Sequence, residues 1–189
     1  MSNQSVADLK LEVGRAEGSA DLRLRYRATN LTKRPLFLFN TLHGEMTEAG
    51  VFPLDTGAYA EIREGSVVLS CKLFPVPDMM LVETRNLPFV TRLQPAESIV
   101  ETISVPLPVK PRDPYRDQRS ESSSAPKRYP LFFELGYFVG APGTEKLART
   151  FPTDHGPRPG FDAFDEAAQR FTKVGPLGSV YASVTASRG

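Results

Sequence analysis

Two histidines, one cysteine and a row of three arginines are the residues of this chain whose types and placement bear on chemistry. His43 lies in HGE and His155 in TDHGP, each beside a glycine with a carboxylate close by, Glu45 and Asp154. Two imidazoles and a carboxylate form a ligand set for a divalent metal if their loops meet in space. On that reading His43, Glu45 and His155 hold the ion of a metal-dependent enzyme. The competing reading is a pair of solvent-facing turn histidines, because the separation follows no known ligand spacing. Cys71 alternates with Leu69 and Leu73, which places it in the core, away from the exposed electropositive setting of a nucleophilic thiol. There is no phosphate-binding loop, no dinucleotide-binding glycine pattern and no G-x-S-x-G elbow. No catalytic residue or cofactor is therefore assigned, and a non-enzyme is favoured.

The arginines are Arg23, Arg25 and Arg27, alternating with Leu22, Leu24 and Tyr26. In a strand they project to one side, with alternate residues about 6.6–6.8 Å apart. Such a stripe suits a polyanion or an acidic partner. It equally suits the wet face of a half-buried sheet, with Glu12 or Glu134 answering from neighbouring strands, and that reading carries more weight. The aromatic set Tyr129, Phe132, Phe133, Tyr137 and Phe138 offers a carbohydrate-stacking platform or, more simply, a strand buried on both faces.

The strands that must carry these residues are read from period-two alternation. DLKLEV, LRLRYRA, LFLFNTL, the stretch from Ala58 to Arg63, SVVLSCKLF, SIVETISVPLPV, YPLFFELGYFVG and SVYASVTA read as strands. MMLVETRNLPFVTRLQP reads as two short strands or one bulged strand, and TEKLARTF as a strand or a turn of helix. In SIVETISVPLPV, Glu101 interrupts an otherwise apolar face. TNLTKRP is a turn cluster, with Asn30 suited to a tight backbone and Pro35 fixing φ after it. In GFDAFDEAAQRF the spacing of Phe161, Phe164, Ala168 and Phe171 predicts a helix of about two to three turns. Asp162 is its expected N-cap and Gly175-Pro176 its stop. Lys110 to Arg128 is charged, serine-rich and proline-punctuated, so it is expected to be a mobile excursion between strands.

Composition bounds the rest. The chain has 189 residues, 17 of them proline, and a net charge of +1. Prolines are expelled from helix interiors and central strands, so their abundance fits many short strands joined by turns. The near-neutral balance of 23 basic and 22 acidic residues argues against a nucleic-acid or anionic-membrane partner. One cysteine permits no internal disulfide. The N-terminus has no signal-peptide pattern and no run reaches the length of a membrane span. A soluble cytoplasmic protein is expected.

These elements predict an all-β chain: a single antiparallel β-sandwich domain over residues 1–189, of about eight or nine strands, with one short helix near the C-terminus. YRATNLTKRPLFLF resembles the passage between two successive strands of bacterial immunoglobulin-like or fibronectin type III-like domains, where a strand ends at Asn and a charged turn with Pro leads onward. LQPAESIVETISVPL is similar to their L-x-P-G-E-S strand entry, with Ala96 where glycine is usual. The resemblance spans about a third of the chain and implies an immunoglobulin-like sandwich, without the cysteine pair and tryptophan of antibody domains. The expected function is a non-catalytic protein-binding or assembly module, with a homo-oligomer as one form of it. The metal-dependent enzyme and a carbohydrate- or polyanion-binding module are the alternatives.

Overall fold

The computed structural model describes residues 8–18, 20–77, 80, 86–115 and 125–183. Its regular structure is mostly β: β1 (Leu9–Glu17), β2 (Asp21–Asn30), β3 (Leu36–His43), β4 (Leu54–Asp55), β5 (Tyr59–Arg63), β6 (Ser66–Cys71), β7 (Phe89–Leu93), β8 (Ser98–Pro106), β9 (Lys127–Val139), β10 (Arg149–Phe151), β11 (Arg158–Gly160), β12 (Arg170–Val174) and β13 (Ser179–Ala182). The strands added to the expected set are mostly short ones, whose pairing is tertiary and leaves little periodicity to read. Among the described residues no helix is long and apolar enough to cross a membrane.

β1, β2 and β8 form a three-stranded sheet in that order, and eight strands form a larger one. The spine of the larger sheet is β9. β6 pairs with it along Leu131–Leu135 and β3 along Tyr137–Val139. β12 pairs along Phe133–Tyr137 and β13 along Lys127–Pro130. β6 runs parallel to β9, so the sheet is mixed, not purely antiparallel. Period two is the same for both directions, and the long connection from β6 to β9 gives a parallel crossover the chain length it needs.

The inward faces of the two sheets meet in one apolar cluster. It includes Leu22, Leu24, Tyr26 and Ala28 of β2, Leu69 and Cys71 of β6, and Leu131, Phe133 and Leu135 of β9. Tyr26 lies against Phe133 with ring centroids 5.1 Å apart. One flank between the sheets is laced by Arg15, which donates to the Leu177 and Ser179 carbonyls at 2.9 and 2.8 Å, and by the Arg170–Asp8 ion pair. On the other, Ser104 N–H donates to Thr56 O at 3.0 Å.

The helix predicted near the C-terminus is not formed. Only Glu166–Ala168 closes a 3-10 turn, capped by the Asp165 side chain, and the chain is extended again in β12. The phenylalanines do not share a helix face. Phe161 and Phe164 pack on the outer face of the larger sheet against Phe37, Phe39 and Phe138, while Phe171 is 50% exposed. Five residues of β12 instead satisfy an edge of β9, which a helix would leave unpaired. Asp162, the expected cap, is paired with Arg149 at 2.7 Å.

The excursion expected at 110–128 is tied down where it begins. Arg112 and Ala60 exchange both backbone hydrogen bonds at 2.8 Å, and Arg112 pairs with Asp55. Tyr115 packs against Leu42, Tyr59 and Phe74. Residues 116–124 lie outside the described residues, and Lys127 already belongs to β9.

The turn into β8 carries a strained residue. Glu97 N–H donates to Gln94 O at 3.0 Å, Pro95 follows Gln94, and Ala96 takes φ 63°. This is the left-handed position that favours glycine in a type II turn. Ala96→Gly is expected to raise unfolding stability by about 0.5–1 kcal/mol, the relieved strain exceeding the added chain entropy. A urea midpoint at or below that of the parent would contradict this.

Candidate functional site: an arginine ridge on the smaller sheet

β2 alternates strictly, with Leu22, Leu24, Tyr26 and Ala28 buried and Arg23, Arg25 and Arg27 exposed. Its position between β1 and β8 puts the arginines along the middle of the outer face. The flanking strands set small or neutral residues beside most of them. Arg23 is opposite Ala16 and Ser104, Arg25 opposite Gly14 and Thr102, and Arg27 opposite Glu12 and Val100. A Cβ added at Gly14 would meet only the Arg25 carbonyl oxygen, at 3.7 Å. Packing within the chain therefore does not demand glycine there, and its absence of a side chain leaves the flank of Arg25 open.

Among the described residues neither carboxylate expected to answer the arginines, Glu12 or Glu134, does so, and the one pairing is with Asp21. Arg23 Nε donates to Asp21 Oδ2 at 2.7 Å. Its hydrogen bond, with that of Ser104, holds the Asp21 carboxyl below its ordinary pKa. Glu12 faces Arg27 in register, but its carboxylate pairs with Lys10 at 3.0 Å. Glu134 belongs to the other sheet. Among the described residues Arg25 and Arg27 have no ion pair, so two guanidiniums stand on an open face with their hydrogen-bond donors directed to solvent.

The histidine loops approach each other without building a metal centre. His43 pairs in register with Leu54, whose N–H donates to Asp154 Oδ1 at 2.9 Å. Phe52 bridges to Thr153. Yet both ring nitrogens of His43 are turned to carbonyl oxygens, Nδ1 to Gly44 at 2.8 Å and Nε2 to Leu87 at 2.9 Å. The ring is stacked on Phe89 at 4.5 Å, with Phe52 edge-on at 4.9 Å. Glu45 and His155 are exposed. Among the described residues no three His, Cys, Asp or Glu side chains are grouped to hold a metal ion. His43 is a clasp between the end of β3 and the segment leading to β7.

The aromatic set of β9 is distributed between two cores. Phe133 and Tyr137 are buried in the cluster between the sheets, while Phe138 stacks on Phe37 at 4.9 Å in the outer cluster. Cys71 is fully buried, and burial pushes its thiol far up, away from the thiolate a nucleophile needs. Glu101, the interruption in β8, points inward. It accepts from the Tyr26 hydroxyl and, through both carboxylate oxygens at 2.8 Å, from Asn40 Nδ2. Burial, then the neighbouring Cys71 and Glu101, raises the Tyr26 hydroxyl well above its ordinary pKa, so it remains a donor.

A second charged constellation lies on the outer face of the larger sheet, and no motif in the sequence announced it. Lys72 Nζ is 2.8 Å from Glu61 Oε2 and 2.9 Å from Glu134 Oε1, and 4.5 Å from the Phe74 ring centroid. Arg63 reaches both oxygens of Glu134, at 3.1 and 3.2 Å. Lys72 and Glu134 are each only 7% exposed. Burial pushes the Glu134 carboxyl up, but the bond and charge of Lys72, joined by Arg63, outweigh it and leave its pKa below the ordinary value. The charges here are answered within the chain, so the group is a structural tie between β5, β6 and β9. The available signal was one charge of each sign, Lys72 and Glu134, inside two otherwise apolar strand sequences.

Comparison with protein-family models, with curated proteins and with solved structures finds no match to this chain.

Proposed function

We propose that this chain is a non-catalytic β-sandwich module of the immunoglobulin-like kind, which binds an acidic region of another protein across the outer face of β1, β2 and β8. The observation that carries the reading is the unanswered pair Arg25 and Arg27 at the centre of that face, beside neighbours that do not cover them. Guanidiniums bind carboxylates through paired, planar hydrogen bonds, which gives orientation as well as attraction. The sandwich reading is supported by two sheets sharing one apolar cluster, and the immunoglobulin-like reading by the Asn30 turn and the Ala96 turn packed against each other. A near-neutral chain with a local basic ridge attracts carboxylates to that ridge without a chain-wide positive field. An isologous dimer through this face is disfavoured, since it would set arginine against arginine.

Nuclear magnetic resonance titration with poly-L-glutamate tests this. Amide shifts are expected to concentrate on β1, β2 and β8. The double variant Arg25→Ala/Arg27→Ala is expected to weaken binding on the order of tenfold, since two exposed ion pairs contribute up to about 1 kcal/mol each. Its thermal midpoint should barely move, both residues being exposed. Shifts centred elsewhere, or unchanged affinity in the double variant, would remove the ridge as the binding site.

A further inference from the structure

We infer that the ridge reads an extended acidic segment with carboxylates at every second residue, lying along β2. This rests on the binding reading above and specifies its ligand. Arg25 and Arg27 are alternate residues of one strand, so their spacing is the strand's own two-residue repeat, about 6.6–6.8 Å. Only another extended chain presents side chains on one face at that same repeat. A helix places same-face residues at three and four positions, about 5–6 Å apart between Cβ atoms and displaced around its surface. An arginine and a facing carboxylate side chain together fill the roughly 10 Å between stacked β layers.

The surroundings favour this occupant. Gly14 and Ala16 on one side and Thr102 and Ser104 on the other leave low ground beside the ridge, so a segment can lie over the arginines while its intervening side chains point away from the sheet. Arg23 already has its Nε committed to Asp21, so Arg25 and Arg27 are the two free readers, with Arg23 adding charge at one end. Strand twist carries stacked chains out of alignment after a few residues, which limits the match to two or three carboxylates. A nucleic acid is the less favoured polyanion. Its affinity is built from many phosphate contacts, and this face offers three aligned arginines in a chain of net charge +1.

The test compares two synthetic peptides of equal length and composition, one alternating Glu-Thr and the other blocked as Glu-Glu-Thr-Thr. When extended, the first sets a carboxylate on one face at every second residue and the second only at every fourth. Titration of the full chain should give at least fivefold tighter binding for the alternating peptide, with shifts along β2. Arg25→Ala, which removes one of the two cations set at the two-residue repeat, should erase the preference while Arg27 retains weak binding. Equal affinity for the two peptides would overturn the spacing rule and leave the acidic-partner reading standing. Failure of both peptides to shift β1, β2 or β8 would overturn that reading as well. Tighter binding of a short single-stranded oligothymidylate than of either peptide, with a steep salt dependence, would overturn the choice of a polypeptide ligand.

Discussion

Glu134→Ala is expected to lower the thermal unfolding midpoint on the order of 10 °C, through a loss of about 3 kcal/mol. Glu134 sits where Lys72 and Arg63 converge, with its side chain 10% exposed and that of Lys72 9% exposed. Removing it leaves a buried ammonium with Glu61 as its one carboxylate partner and takes the paired acceptor from Arg63. Most of the cost is this uncompensated charge, not the lost attraction, because taking two charges out of water nearly offsets their mutual gain. The double variant Lys72→Met/Glu134→Leu should therefore recover most of the loss. A single variant costing under about 1 kcal/mol would mean that the group behaves as an exposed ion pair. The acid limb gives an independent reading. The folded-state pKa of Glu134 lies below its ordinary 4.5, so the carboxylate stabilises the fold fully above that value. This contribution disappears as pH falls through the folded pKa. The gap in urea midpoint between the parent chain and Glu134→Gln is thus expected to be widest near neutrality and to close toward acid pH, below the folded pKa.

This network shows which parts of the molecule were legible in the sequence. Alternation identified β1, β2, β3, β6, β8 and β9 because each buries one face or both, and burial of alternate residues is what period two records. It placed Cys71 and Leu22 inside and the arginines outside. It did not record strand direction, so the parallel pairing of β6 with β9 was hidden. Nor did it record what lies over the outer face of the larger sheet. Val68 and Ser70, outward by parity, are fully buried. The segment 161–174 misled because its phenylalanines have helical spacing for another reason: Phe161 and Phe164 enter an aromatic cluster from an irregular segment. For the site, the sequence supplied the ridge but not its partners. Whether Glu12 answers Arg27 depends on a competing contact with Lys10, and such competition between exposed side chains has no signature in spacing. The two histidines were brought into one neighbourhood, but the ring and backbone partners of His43 make it a loop clasp.

Asn30→Asp is expected to destabilise the fold by about 3 kcal/mol at neutral pH, although it changes only an amide nitrogen to oxygen. Asn30 ends β2 and is 1% exposed. Its Nδ2 donates to the carbonyls of Arg34 and Leu93, at 2.8 and 2.9 Å. Its Oδ1 accepts from Thr32 N–H at 2.8 Å and from the Thr32 hydroxyl at 2.9 Å. Its backbone N–H donates to Glu97 O at 3.0 Å, and its carbonyl accepts from Ala96 at 3.1 Å. One amide thus organises the turn from β2 to β3 and fastens it to the turn that opens β8. The acid keeps the acceptor for Thr32 but sets an oxygen against two carbonyl oxygens. Ionised, it is a buried charge without a donor there; protonated, it can donate to only one carbonyl. The fold therefore favours the neutral acid, and the folded-state pKa rises above the unfolded value of about 3.9. The penalty should be mild below that value and grow as pH rises toward neutrality. The gap for Glu134→Gln has the same pH course for the converse reason, the loss there of a carboxylate that the fold stabilises. Asn30→Ser shortens the side chain without adding charge, and its penalty should stay flat with pH. A flat profile for Asn30→Asp would mean that the amide is replaceable at this junction, and that the two turns hold each other through backbone contacts alone.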